Sequence, residues 1–271
     1  MLKQRIITAL ILLPVALCGF FLLKGADFAL FIGLVVVLGA WEWARLAGLV
    51  SQGMRVAYAA AVALLLFLMY LVPGLAPWIL VAAVIWWCAA TFLVLTFPDS
   101  SDYWASAACK LVIGLLILLP AWQGLILIKQ WPLGNGLILA VMVLVWAADI
   151  GAYFSGKAFG KRKLAPKVSP GKSWEGVYGG LVVSLLITAG VGLSRGWSVS
   201  QLIVALLGAA AIVLISVVGD LTESMFKRQA GVKDSSNLLP GHGGVLDRID
   251  SLTAAIPVFA VLLWAADWGV L

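Results

Sequence analysis

Nine stretches of roughly twenty mostly apolar residues follow one another along this chain of 271, and few folds can accommodate them. They cover residues 6–23, 28–48, 56–73, 76–97, 107–129, 135–156, 175–194, 200–226 and 249–267. A bilayer core about 30 Å thick takes about 20 apolar residues of α-helix, so each stretch is long enough to cross. The chain is 63% hydrophobic and 11% charged, with a mean hydropathy of +1.10, far outside the range of soluble globular domains. The expected fold class is all-α: a polytopic transmembrane helical bundle of about nine spans.

The cations sort by loop. With the N-terminus in the cytoplasm, Lys3, Arg5, Arg45, Arg55, Lys110, Lys157, Lys161, Arg162, Lys163, Lys167, Lys172, Lys227, Arg228, Lys233 and Arg248 fall on the cytoplasmic side. Only Lys24, Lys129 and Arg195 fall outside, which is the asymmetry expected of cytoplasmic loops. The net charge of +6 is therefore a signal of topology. No stretch is left for a basic soluble domain, so a nucleic-acid partner is not expected. The opening Met-Leu-Lys-Gln-Arg also has the form of a signal peptide, but Leu17 stands before Cys18 where a lipoprotein cleavage site needs a small residue, and the apolar run is long enough to span. Cys18, Cys88 and Cys109 have no metal-type spacing and read as small buried hydrophobes. The thirteen Trp, among them Trp78, Trp131, Trp197 and Trp268 near segment ends, read mostly as interfacial anchors.

The chain divides into residues 1–134, hydrophobic spans with short connections, and residues 135–271, a catalytic region with two polar cytoplasmic loops. In the first part the most polar point is Glu42 with Arg45, read as an ion pair at a helix end. In the second part, Gly179-Gly180 and Gly208-Ala209-Ala210-Ala211 predict close helix contacts. Asp149, Tyr153 and Gly156 share one helix face, and an ionisable group at that depth is a functional candidate. An ion pair between Asp149 and a neighbouring Lys is the structural alternative. Residues 157–175 form a basic loop in which Ser169, Lys172 and Ser173 suit phosphate oxygens. Gly171-Lys172-Ser173 is not a P-loop, because Pro166 occupies the position of the first glycine and no strand precedes it. Lys161, Arg162 and Lys163 equally suit anchoring to anionic lipid.

The eighth span ends in Asp220, Glu223, Ser224 and Lys227 on a single stripe, followed by Arg228. The loop after it carries Lys233, Asp234 and then Pro240-Gly241-His242-Gly243-Gly244, whose glycines let backbone approach a phosphate, before Asp247, Arg248 and Asp250. Three acids converging as Asp220, Asp247 and Asp250 would repel unless a cation joins them. Oxygen ligands with no Cys or second His nearby favour Mg²⁺ over Zn²⁺. Such equipment suits phosphoryl or nucleotidyl transfer.

The run from Ser224 through Lys227-Arg228, Lys233-Asp234 and Leu239-Pro240-Gly241-His242-Gly243-Gly244 to Asp247-Arg248 and Asp250 resembles the hallmark segment of phosphatidate cytidylyltransferases. Asp149 to Gly156 with Ser169 to Gly176 is similar to a second block of that family. The resemblance implies that CTP and phosphatidic acid give CDP-diacylglycerol and pyrophosphate with Mg²⁺; the expected location is the bacterial inner membrane, with the site on the cytoplasmic side to which the Lys and Arg assign its loops. On that footing Asp220, Asp247, His242 and Lys227 are the expected catalytic residues, and Asp220, Asp247 and Asp250 the expected metal ligands, with a second cation suiting an in-line displacement. Asp149, Ser169, Lys172, Glu223, Ser224, Arg228, Lys233, Asp234, Gly243, Gly244 and Arg248 are the expected substrate-binding residues. Membrane lipid is an expected partner, and small-residue stripes are compatible with a homodimer. A CTP-dependent lipid kinase and an ion-coupled transporter remain the alternatives.

Overall fold

The computed structural model describes residues 2–266. Nine α-helices make up nearly all of it: α1 (Leu2–Leu17), α2 (Gly25–Leu46), α3 (Gln52–Leu71), α4 (Ala76–Leu95), α5 (Ala107–Gln130), α6 (Gly134–Phe159), α7 (Trp174–Ser194), α8 (Val199–Gln229) and α9 (Leu246–Ala265). Eight helical segments among the described residues are long and apolar enough to cross a membrane, and Leu10–Leu22 adds a shorter apolar stretch. The expected bundle is therefore present. Residues 2–22 traverse it, α1 being extended by a π-helical turn. The Thr8 hydroxyl donates to the Pro240 carbonyl at one end, and Lys129 and Asn135 donate to the carbonyls of Phe20 and Phe21 at the other.

Helix length decides where polar groups emerge. At 1.5 Å per residue the 31 residues of α8 extend about 46 Å, well beyond a hydrocarbon layer of about 30 Å. Its last turns, with Asp220 to Lys227, therefore run out of the apolar slab at the end where α6 stops and α7 and α9 begin. Small residues bring these helices together. A Cβ on Gly219 would stand 2.7 Å from the Asp250 carbonyl, so this glycine lets α8 lie against the start of α9. Gly151 and Gly180 likewise seat α6 on α7, where a Cβ at Gly180 would meet the Ala148 carbonyl at 2.6 Å. The contact expected at Gly179-Gly180 is thus present, whereas Gly208 faces open space. Helices from both sides of residue 134 intermingle, α9 packing on α5 and α8 on α4.

Three readings of the sequence are corrected. Trp43, Trp87, Trp104 and Trp122 are buried core residues, and Phe226 near the end of α8 is gripped between Trp43 and Trp104, with ring centroids at 4.7 and 4.4 Å. Trp78 alone of the named anchors is strongly exposed, and Trp268 lies outside the described residues. Cys18 and Cys88 face outward, since lipid solvates a thiol-bearing surface as readily as a core does. The basic loop is not featureless: Lys163–Ala165 (β1) and Ser169–Ser173 (β2) pair as a small antiparallel hairpin.

Candidate active site

The hairpin is the first of three parts that build the site. It is closed by Glu175, at the start of α7, whose carboxylate accepts the backbone N–H of Lys161 and of Arg162 and the Arg162 guanidinium at 3.1 Å. That carboxylate raises the Arg162 guanidinium above its ordinary pKa. Ser173 caps α7 by accepting the Gly176 N–H and is largely buried, at the edge of the cleft between α6, α7 and α8. The Arg228 guanidinium donates to the Val168 carbonyl at 3.1 Å, tying the hairpin to α8. Lys172 is thereby carried to Asp220, with Nζ 2.6 Å from Oδ2.

The second part is the end of α8. Ser224 donates to Asp220 at 3.2 Å. Lys227 reaches Glu223 at 3.0 Å and Asp247, across on α9, at 2.8 Å. Glu223 is 3% exposed, and among the described residues its compensation is the Lys227 ammonium 3.0 Å from Oε1, no well-aligned hydrogen bond reaching either oxygen. Asp250 is close enough to feel the charges of Asp220, Lys227 and Lys172, and Asp149 on α6 feels Lys172 and Asp220. Asp149, Asp220, Glu223, Asp247, Asp250 and the two lysines therefore form one electrostatic cluster.

The third part is the loop between α8 and α9. Asp247 accepts from the Ser235 N–H, the Ser235 hydroxyl and the Gly244 N–H as well as from Lys227, so each of its oxygens is engaged. Gly243 adopts φ +83, and a Cβ there would approach Asp247 Oδ2 to 2.7 Å. A Cβ on Gly244 would lie on the Ser235 hydroxyl and 2.5 Å from Glu42 Oε1. These glycines make room for carboxylates of the protein itself. His242 Nδ1 is buried without a hydrogen-bond partner among the described residues. Lys233, Asp234 and Arg248 are exposed, and no carboxylate lies within ion-pair distance of Lys233 or Arg248 among the described residues. Ser169 is half-buried on the hairpin.

A cleft of about 350 Å³ opens beside this cluster between α6, α7 and α8. Asp149, Tyr153, Lys157 and Lys172 line its polar part, and Val177, Val213 and Val217 its apolar part. A larger cleft of about 520 Å³ lies at the opposite end of the bundle, around Lys24 and Lys129, remote from the acids. Sequence reasoning missed Glu42, Ser235 and Ser236. Glu42 makes no ion pair with Arg45 among the described residues, contrary to the helix-end pair expected there; it is fully buried against the α8–α9 loop, and Arg45 donates instead to the Ser235 carbonyl. Among the described residues no group of three or more His, Cys, Asp or Glu is arranged to hold a metal ion.

Residues 3–266 match the model of the cytidylyltransferase family. A phosphatidate cytidylyltransferase of Pseudomonas aeruginosa is 74% identical over 269 residues, covering 99% of each chain. One of Haemophilus influenzae is 45% identical over 281 aligned positions, covering 96% of this chain and 98% of its own. One of Brucella suis is 47% identical over 128 residues, covering 46% of this chain and 45% of its own.

Proposed function

The chain belongs to the cytidylyltransferase family, and from that premise we propose that it transfers the cytidylyl group of CTP to phosphatidic acid, giving CDP-diacylglycerol and pyrophosphate for phospholipid synthesis. It is a transferase embedded in a membrane. The observation that carries the reading from family to site is the position of the Lys172–Asp220 pair, beside a cleft whose other wall is apolar. A phosphorylated headgroup there meets ammonium groups while its acyl chains stay among Val177, Val213 and Val217.

In the reaction a phosphate oxygen of phosphatidic acid attacks the α-phosphorus of CTP. The bond from that phosphorus to the bridging oxygen breaks, and pyrophosphate leaves with the electron pair. A phosphate monoester is largely ionised near pH 7, its second pKa being about 6, so no strong base is required. Lys172, Lys227, Lys233 and Arg248 are the cations at hand for the phosphates, and Arg228 steadies the hairpin that presents Lys172. His242, whose Nδ1 has no partner among the described residues, is assigned to the leaving pyrophosphate.

The cluster suits a divalent cation in charge and donor type, although among the described residues no three of its carboxylates converge as a ligand set. Five carboxylates face two ammonium groups, and every candidate ligand is a hard oxygen. Asp220, Asp247 and Asp250 are assigned to Mg²⁺; Asp247 is engaged by the loop and Asp220 by Lys172 and Ser224, which leaves Asp250, accepting the Ser251 N–H on Oδ1, the freest donor of the three. Bound Mg²⁺ would polarise phosphate oxygens and offset their charge. The distribution of Lys and Arg supports a cytoplasmic N-terminus and a cytoplasmic site, and the bacterial relatives support the inner membrane.

The test is purified protein with phosphatidic acid, Mg²⁺ and CTP labelled at the α-phosphate. Label entering lipid with release of pyrophosphate is expected. Release of CDP would point to a lipid kinase, and untouched CTP would reopen the carrier reading.

A further inference from the structure

Glu42 is a carboxylate of the hydrophobic first half, fully buried, and the reaction as derived above makes no use of it. It is saturated by donors from one segment of the second half. Oε1 accepts the Ser236 hydroxyl at 2.5 Å and the Val245 N–H at 2.9 Å; Oε2 accepts the Leu246 N–H at 2.7 Å and the Ser235 hydroxyl at 3.2 Å. Val245 and Leu246 are the start of α9, whose first N–H groups have no partner within the helix. A carboxylate placed there satisfies two of them and complements the helix dipole.

The same contacts lead to the reacting groups. The Ser235 hydroxyl lies 3.2 Å from Glu42 and 2.9 Å from Asp247, which begins one residue after the N–H that Glu42 holds. Asp247 in turn holds Lys227 at 2.8 Å. Arg45, one turn after Glu42 on α2, grips the carbonyl of Ser235 at 3.1 Å. The glycine at 244 is what allows the approach, since a Cβ would collide with the Glu42 carboxylate.

We propose that Glu42 is a positioning residue of the transfer reaction: from α2 it fixes the 235–246 segment, and through Ser235 and the start of α9 it sets the place of Asp247 and Lys227. The proposal rests on the cytidylyl-transfer reading. It gives the first half of the chain a part in catalysis that no motif within that half announces.

A glutamine at position 42 keeps the size but turns one acceptor oxygen into an NH₂ facing donors, so the segment must shift. A displacement of about 1 Å at a reacting group is enough to cost on the order of 100-fold in rate. The experiment compares wild type, Glu42→Gln, Glu42→Asp, Ser235→Ala and the Glu42→Gln/Ser235→Ala double variant, each checked for monodisperse elution in detergent and for CTP binding. Expected are a fall in kcat of roughly 100-fold for Glu42→Gln with KM for CTP changed by less than about threefold, partial recovery in Glu42→Asp, and about tenfold loss in Ser235→Ala. The double variant should be little worse than Glu42→Gln, because both changes cut one connection. Wild-type kcat in Glu42→Gln, or losses that multiply in the double variant, would overturn the proposal. If Glu42→Gln fails to fold, Ser235→Ala decides alone: unchanged kcat rejects the connection and a kcat-only loss supports it. Wild-type protein that puts no label into lipid would instead defeat the parent reading.

Discussion

The Lys172 ammonium lies 2.6 Å from the Asp220 carboxylate, joining the basic hairpin to the end of α8 across the polar edge of the cleft. Lys172 is the cation at that edge best placed to meet both Asp220 and an incoming phosphate. Replacing it by methionine keeps the stem and removes the charge. Lys172→Met should lower kcat/KM by at least about 100-fold, as loss of a preorganised charge at a phosphoryl centre commonly does. Steady-state kinetics with varied CTP and varied phosphatidic acid will check this.

Asp247 gathers Lys227, Ser235 and Gly244 around one carboxylate. Asp247→Asn leaves the Lys227 charge facing Glu223 alone and places an NH₂ among donors. Activity should fall by about 1,000-fold, and thermal unfolding in detergent should show a loss of about 1–3 kcal/mol.

Gly244 and Gly208 offer a matched contrast. A methyl at 244 would lie on Ser235 and Glu42, whereas among the described residues no neighbouring side chain or packed backbone stands within 4 Å of a Cβ at 208. Gly244→Ala should abolish more than about nine-tenths of the activity through overpacking. Gly208→Ala, in the middle of α8, should be neutral or stabilise the helix by up to about 1 kcal/mol. Parallel measurement of turnover and melting separates the two.

Chelation tests the charge surplus of the acid cluster. Turnover should stop in excess EDTA and return with Mg²⁺, and the Asp220→Asn and Asp250→Asn variants should each need a higher Mg²⁺ concentration for half-maximal rate. Calorimetric titration of Mg²⁺ into wild type and the Asp220→Asn variant reads the same site without turnover.

Topology is open to labelling in a background lacking Cys18, Cys88 and Cys109. A membrane-impermeant maleimide should react with the Arg195→Cys variant in intact spheroplasts and with the Lys233→Cys variant only after permeabilisation. The reverse pattern would invert the orientation drawn from the Lys and Arg distribution.

The spans were legible because a hydrocarbon slab demands apolar length and nothing subtler; the helices match the apolar runs closely, from Gly25–Leu46 to Leu246–Ala265. The acids of α6, α8 and α9 were legible for the same reason, since an ionisable group in such a run stands out. Glu42 stood out equally and was passed over, because Arg45 three residues on offered a local explanation. Its true partners, Ser235, Ser236, Val245 and Leu246, lie some two hundred positions away, beyond any periodicity. The outward Cys18 and Cys88 and the inward Trp43 and Trp104 went unread for a different reason. In a bilayer both faces of a helix are apolar, so hydrophobicity does not tell lipid from core. The 163–173 hairpin has no alternating pattern, and its closure by Glu175 is a contact between a loop and a helix start.

The length of α8 has one more consequence. A rod of 31 residues has a fixed length, so its tilt and the local bilayer thickness together set how far the Asp220 to Lys227 turns stand from the layer around residues nearer Val199. In lipids of longer acyl chain the bilayer must thin locally or the helix stand straighter, each at a fraction of a kcal/mol per Å of mismatch. Turnover should therefore vary with the acyl-chain length of the surrounding lipid, which reconstitution in bilayers of graded thickness will read.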